Sequence, residues 1–131
     1  MGRYAFFNTG LEYKFAFGIQ DSEDIETFGG FTVHQADDPE QMWSDMDKPM
    51  ILEELADILD FHADNTDIRE FLEDPKFKHS VEGTNLMWSE VAKRFKTVIS
   101  SEPVYYRFRL GCIIYHQLLY KPKDLRAVYE L

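Results

Sequence analysis

The residues best equipped for chemistry lie in Asp60-Phe61-His62-Ala63-Asp64-Asn65-Thr66-Asp67, a run that sets oxygen and nitrogen donors at alternating positions. Alternating oxygen ligands are how a calcium-binding loop begins. The run then departs from that pattern. Asn65 stands where the loop needs its turn glycine, His62 offers nitrogen where a hard cation wants oxygen, and Phe71 holds the place of the closing glutamate. A helix end followed by a helix cap accounts for the same residues, so no metal ligand is assigned. A second cluster, His34, Asp37, Asp38 and Glu40, pairs a base with carboxylates that could orient it. No second His or Cys follows at a ligand interval, and a solvated loop leading into a helix cap explains it.

Cys112 and His116 stand four apart, which places both on one face of a helix, the geometry in which an imidazole activates a thiolate. Their surroundings, Leu110-Gly111-Cys112-Ile113-Ile114-Tyr115-His116, are strongly apolar. Such surroundings make a thiol less acidic, so a packed cysteine beside a hydrogen-bonded histidine is the expected arrangement. The chain has no Gly-x-Ser-x-Gly elbow, no His-Glu-x-x-His pair and no Cys-x-x-Cys. Gly29-Gly30 lacks the spacing of a dinucleotide fingerprint and the lysine of a phosphate loop, and reads as a bend. No catalytic residue, metal or cofactor is therefore assigned. The enzyme class left as an alternative is a divalent-metal hydrolase using His34 or His62 with nearby carboxylates.

Charge is more telling. Residues 1–91 hold 6 Lys/Arg against 21 Asp/Glu, whereas residues 92–131 hold 8 against 3. The whole chain has a net charge of −10. From Asp21 to Asp67 there are 15 carboxylates and only Lys48 to oppose them. Fields of that size steer basic partners and repel acidic ones. Phe28, Phe31, Met42, Trp43 and Met46 are interleaved with this run, and Met and Trp beside carboxylates suit a partner surface better than a merely solvated face. Asp37, Asp38, Glu40, Met42, Trp43 and Met46 are the candidate partner-binding residues. The basic C-terminal part mixes Lys93, Arg94, Lys96, Arg107, Arg109, Lys121, Lys123 and Arg126 with aromatic residues. Those aromatics fall at core spacing and the pI near 4.7 repels polyanions, so direct nucleic-acid binding is not favoured.

These residues need a scaffold, and 131 residues suffice for a single domain with its own core. Arg3 to Phe7 and Leu11 to Phe17 flank Asn8-Thr9-Gly10, which predicts a hairpin closed by a glycine in the left-handed region. A third strand is expected over Thr27 to His34. The remainder reads as helices. A short one runs from Asp38-Pro39 through Met46, a longer one from Asp47–Pro49 to about His62, and a brief one is capped by Thr66 and ended by Pro75. A regular helix follows from Thr84 to Ile99, then a helix from Pro103 to Tyr120 that is apolar all round, then a terminal turn or helix carrying Leu125, Val128 and Tyr129. Trp88, Phe95, Cys112, Tyr115 and Leu118 are expected in one core. Strands first and helices afterwards give an α+β fold, a small antiparallel sheet of the N-terminal hairpin plus a third strand, packed on a C-terminal helical bundle.

The segment Tyr4-Ala5-Phe6-Phe7-Asn8-Thr9-Gly10-Leu11-Glu12-Tyr13-Lys14-Phe15 resembles the opening of small uncharacterised proteins encoded by large double-stranded DNA viruses. The resemblance covers the N-terminal segment alone and carries over no activity and no catalytic residue. It implies a viral product located in the cytoplasm or nucleus of a host cell, or in the virion. A lone cysteine and the lack of a long apolar stretch agree with an intracellular protein that has no membrane segment. The function expected from the sequence is a non-enzymatic acidic interaction or assembly module that binds a basic protein surface or a second copy of itself. A third possibility is an acidic mimic of nucleic acid that occupies a DNA-binding protein.

Overall fold

The computed structural model describes residues 4–14, 23–33, 39–60, 63–74, 93–95 and 102–130. The hairpin forms where period-two alternation places it. β1 (Tyr4–Phe7) pairs antiparallel with β2 (Glu12–Lys14), and Gly10 closes the turn with φ 98°, the left-handed conformation its position requires. A single helical turn, α1 (Glu23–Glu26), precedes the Gly29-Gly30 bend, and β3 (Phe31–Val33) follows it as a shorter version of the expected third strand.

The next segment overturns an expectation. Residues after Pro39 form a strand, β4 (Glu40–Trp43), in place of a helix from Asp38 through Met46. The Asp38-Pro39 start on which that helix rested is a local cap worth about 1 kcal/mol. Against it, β4 lies between two strands, its Gln41 amide donates to the Gly29 carbonyl at 2.7 Å, and Trp43 is only 2% exposed. Tertiary pairing therefore outweighs the local signal.

A 3-10 turn (Asp45–Asp47) leads into α2 (Lys48–Ile58), with the Ser44 N–H donating to the Asp47 carboxylate at 2.8 Å. α3 (Asn65–Glu73) is capped by Asp64, not by Thr66. Asp64 accepts from the Asp67 N–H at 2.9 Å, and Asp67 in return accepts from the Asp64 N–H at 3.2 Å. This reciprocal box satisfies two donors at once, which a threonine inside the first turn cannot match. The helix ends before Pro75, as expected. Of the predicted Thr84–Ile99 helix, Lys93, Arg94 and Phe95 are helical, and the rest, Trp88 included, lies outside the described residues.

α4 (Glu102–Tyr120) is the central helix that its apolar circumference predicted, with every residue from Leu110 to Leu118 buried. Gly111 makes this possible. A Cβ there would stand 2.3 Å from the Phe28 ring and 2.7 Å from Leu55, so α4 approaches α2 and the turn after α1 at a distance that only glycine permits.

The chain end brings the second correction. Residues 125–130 form β5 (Leu125–Glu130), where the sequence suggested a turn or helix. Leu125, Ala127 and Tyr129 alternate inward at period two, and β5 is the middle strand of a five-stranded antiparallel sheet ordered β2-β1-β5-β4-β3. The sheet is thus larger than a hairpin plus one strand. Ala5, Phe7, Trp43, Leu125, Ala127 and Tyr129 join the same core as the helical Leu55, Ile68, Phe71, Phe108, Ile113 and Leu118. Phe7 and Trp43 stack across β5 at 6.3 Å, where the small Ala127 leaves room for both rings. The architecture is α+β, and the described helices pack on one face of the sheet.

Candidate interaction site

Segment 45–74 holds 11 carboxylates against Lys48 and Arg69. The way α2 and α3 pack decides which of them face solvent. α2 turns Ile51, Leu52, Leu55 and Ala56 inward and α3 does the same with Ile68, Phe71 and Leu72, which leaves Glu53, Asp57, Asp60, Asp64, Asp67, Glu70 and Glu73 exposed. Lys48 is committed to Asp45 at 2.6 Å and lies 5.7 Å from the Tyr115 ring centroid. Glu54 sits 3.7 Å from Arg107, yet burial and the neighbouring Asp57 still hold its carboxyl above the usual carboxylate range. That upward shift comes first from burial and only then from the crowding of like charge.

Between the two helices is a hollow of about 490 Å³, with the buried Ala56 and Ala63 at its base and the exposed Glu53, Asp64, Asn65 and Thr66 around it. An aliphatic stem capped by a cation fits this chemistry, since apolar carbons meet the alanines while the head meets two carboxylates. At the start of α2, Met46 is 89% exposed and Met50 is 53% exposed one helical turn later.

The four candidate partner residues that lie among the described residues do not form one patch. Met46 is displayed next to the acidic helices. Glu40 and Met42 lie on the sheet face away from the helices, where Glu40 meets Arg126 at 3.5 Å and Met42 stands opposite Phe31 and Arg126 in register. Trp43 points the other way and is part of the core, so it offers no surface to a partner. Asp37 and Asp38 are outside the described residues. Two features were missed by the sequence reading. Met50 was visible at i+4 from Met46, and Glu70 and Glu73 continue the acidic surface beyond Asp67 on the outward side of a clear 3.6-residue stripe.

The clusters weighed for chemistry resolve differently. Asp64 and Asp67 each give one carboxylate oxygen to the α3 cap, and His62 and His34 lie outside the described residues. Among the described residues no three His, Cys, Asp or Glu side chains converge in a way that could hold a metal ion. Cys112 is fully buried and burial pushes its thiol well up. His116 is 1% exposed, with its ring edge-on to Tyr120 at 5.5 Å. Among the described residues no helix is long and apolar enough to cross a membrane. Comparison with protein-family models, with curated proteins and with solved structures found no match.

Proposed function

We propose that this protein is a non-enzymatic interaction module whose acidic α2–α3 surface takes a basic protein partner. The observation that carries the reading is the row of exposed carboxylates over segment 45–74, opposed there by only two cations and bordered by the exposed Met46. Carboxylates of this density raise the encounter rate with a basic surface, and the Met46 side chain with the alanine-based hollow gives short-range contact after encounter. Direction and strength then come from different residues.

The test compares partner capture and association kinetics for three forms of the full chain. One is the wild type, one carries Glu53→Gln, Asp57→Asn, Asp60→Asn and Asp64→Asn, and a control carries an equal number of neutralisations away from α2–α3, at Glu12, Glu23, Asp24 and Asp124. Asn at position 64 keeps a good cap, so folding is preserved. The expected result is a fall in association rate of at least tenfold at low salt for the α2–α3 variant alone, and a similar fall for the wild type at high salt. Equal loss in the control would reduce the effect to net charge and overturn the reading.

A further inference from the structure

The geometry points to a hollow at the end of α4 as a site for a small neutral ring that carries a carbonyl beside an N–H, the lactam edge of a free nucleobase or nucleoside. None of the residues assigned to the basic partner takes part. The hollow measures about 430 Å³ and is lined by Thr9, Gly10 and Leu11 at the hairpin turn and by Gln117 and Tyr120 of α4. Residues three apart share one side of a helix, so α4 presents Gln117 and Tyr120 together to the turn.

Gln117 decides the chemistry. It is only 4% exposed, yet it borders the hollow. The Thr9 hydroxyl donates to its Oε1 at 2.5 Å, while among the described residues none accepts from its Nε2, which is not sealed into the core. A side-chain amide this deep is normally satisfied at both atoms, so the open donor calls for an acceptor from outside the chain. Thr9 gives its hydroxyl proton to Gln117 and keeps its oxygen lone pairs free to accept. A donor and an acceptor therefore stand beside one hydrogen bond, and a ring with C=O next to N–H answers both. An open-chain peptide group does not, because its trans geometry points C=O and N–H in opposite directions.

The rest of the lining selects the rest of the ligand. Tyr120 is 65% exposed, which leaves its ring open for a flat ring to stack on, and Leu11 adds an apolar contact. No lining residue is charged, and the chain carries −10, so a neutral ring is admitted while a phosphate chain is repelled. The volume suits one small ring system.

Titration of the isotope-labelled full chain with uridine tests this, read by NMR at the Gln117 side-chain amide and the Thr9 and Gly10 backbone amides. Uridine is expected to shift these signals together and to saturate them at millimolar concentration. N3-methyluridine, whose lactam N–H is blocked, should bind roughly tenfold more weakly through loss of one hydrogen bond. Tyr120→Ala, at an exposed position that folding does not need, should weaken uridine by roughly tenfold through loss of the stack. Thr9→Val, which removes the acceptor and keeps the shape, weakens it as well. Absence of shifts around the hollow, equal binding of the N3-methylated probe, or binding indifferent to Tyr120→Ala overturns the proposal. A uridine oligonucleotide that binds more tightly than uridine, with steep salt dependence, also overturns it, because the base would then arrive on a nucleic-acid chain. Neutralising Glu53, Asp57, Asp60 and Asp64 leaves uridine binding in place, and capture of a basic partner is read separately.

Discussion

Asn8 and Arg126 bind each other's backbone from 118 positions apart: the Asn8 N–H donates to the Arg126 carbonyl at 2.9 Å, and the Arg126 N–H donates to the Asn8 Oδ1 at 2.9 Å. The Asn8 Nδ2 also donates to the Asp124 carbonyl at 2.9 Å, where Asp124 takes a positive φ of 56° to enter β5. The hairpin turn thus fixes the start of the central strand. Asn8→Ala leaves two backbone groups without that partner and is expected to cost about 1–2 kcal/mol. Asn8→Asp keeps the acceptor and should fall between. Urea denaturation of the three proteins reads the order, and wild-type stability in Asn8→Ala would mean that the turn does not hold β5.

Trp43 and Met46 separate folding from binding. Trp43 is 2% exposed and stacked on Phe7, so Trp43→Ala is expected to lower stability by about 3–5 kcal/mol. Met46 is 89% exposed, and Met46→Ala should change stability by no more than about 0.5 kcal/mol while speeding partner dissociation. Thermal melts paired with dissociation rates distinguish the two. A Trp43→Ala protein of normal stability would contradict the placement of this ring in the core.

The difference between these two residues shows what was legible in the chain. Helical stripes were readable because a period of 3.6 repeats over several turns: Leu52, Leu55 and Ala56 in α2, Ile68, Phe71 and Leu72 in α3, and the long apolar α4 all bury as their spacing predicts. β4 and β5 were not. Four to six residues contain too few periods to outweigh a Pro-based cap cue, and β5 draws its ladder from β1 and β4, far away in sequence. Missing β4 also misplaced the candidate site, because a strand sends Met42 and Trp43 to opposite faces whereas a helix would have kept Trp43 near Met46. The charge asymmetry was readable, but which carboxylates face solvent depended on packing.

Phe95 tests the packing of the basic segment on the acidic one. Its ring meets Phe71 edge-on at 5.4 Å and is 8% exposed, while Arg94 lies 5.7 Å from the same Phe71 ring. Phe95→Ala removes the edge contact and leaves a cavity against α3, for an expected loss of about 3–5 kcal/mol. Denaturant midpoints at constant slope measure it. A loss under about 1 kcal/mol would show that the helix bearing Phe95 packs elsewhere.

Alkaline pH should unfold this protein through groups that carry no charge at neutrality. Burial lifts the Cys112 thiol well above its ordinary 9.0, lifts the Tyr129 phenol above 10.0 with help from Glu26, and lifts the Tyr115 phenol above 10.0 through burial and its 3.0 Å hydrogen bond to Glu73. Each group holds its proton more tightly folded than unfolded. The unfolded chain therefore loses protons first as pH rises, and the stabilisation is complete below the ordinary values and drains away above them. Stability is expected to be level from about pH 7 to pH 9, as far as these groups decide it, and to fall steadily beyond. Tyr129→Phe and Tyr115→Phe should each flatten the decline, and Tyr115→Phe should also lower stability at neutral pH by about 1 kcal/mol through loss of the Glu73 bond. Thiol labelling gives an independent reading, because Cys112 is fully buried and reacts only when the chain opens. Its labelling rate, relative to that of an unfolded reference at each pH, should track the unfolding equilibrium as pH is raised, and fast labelling at neutral pH in a fully folded sample would refute the burial of Cys112.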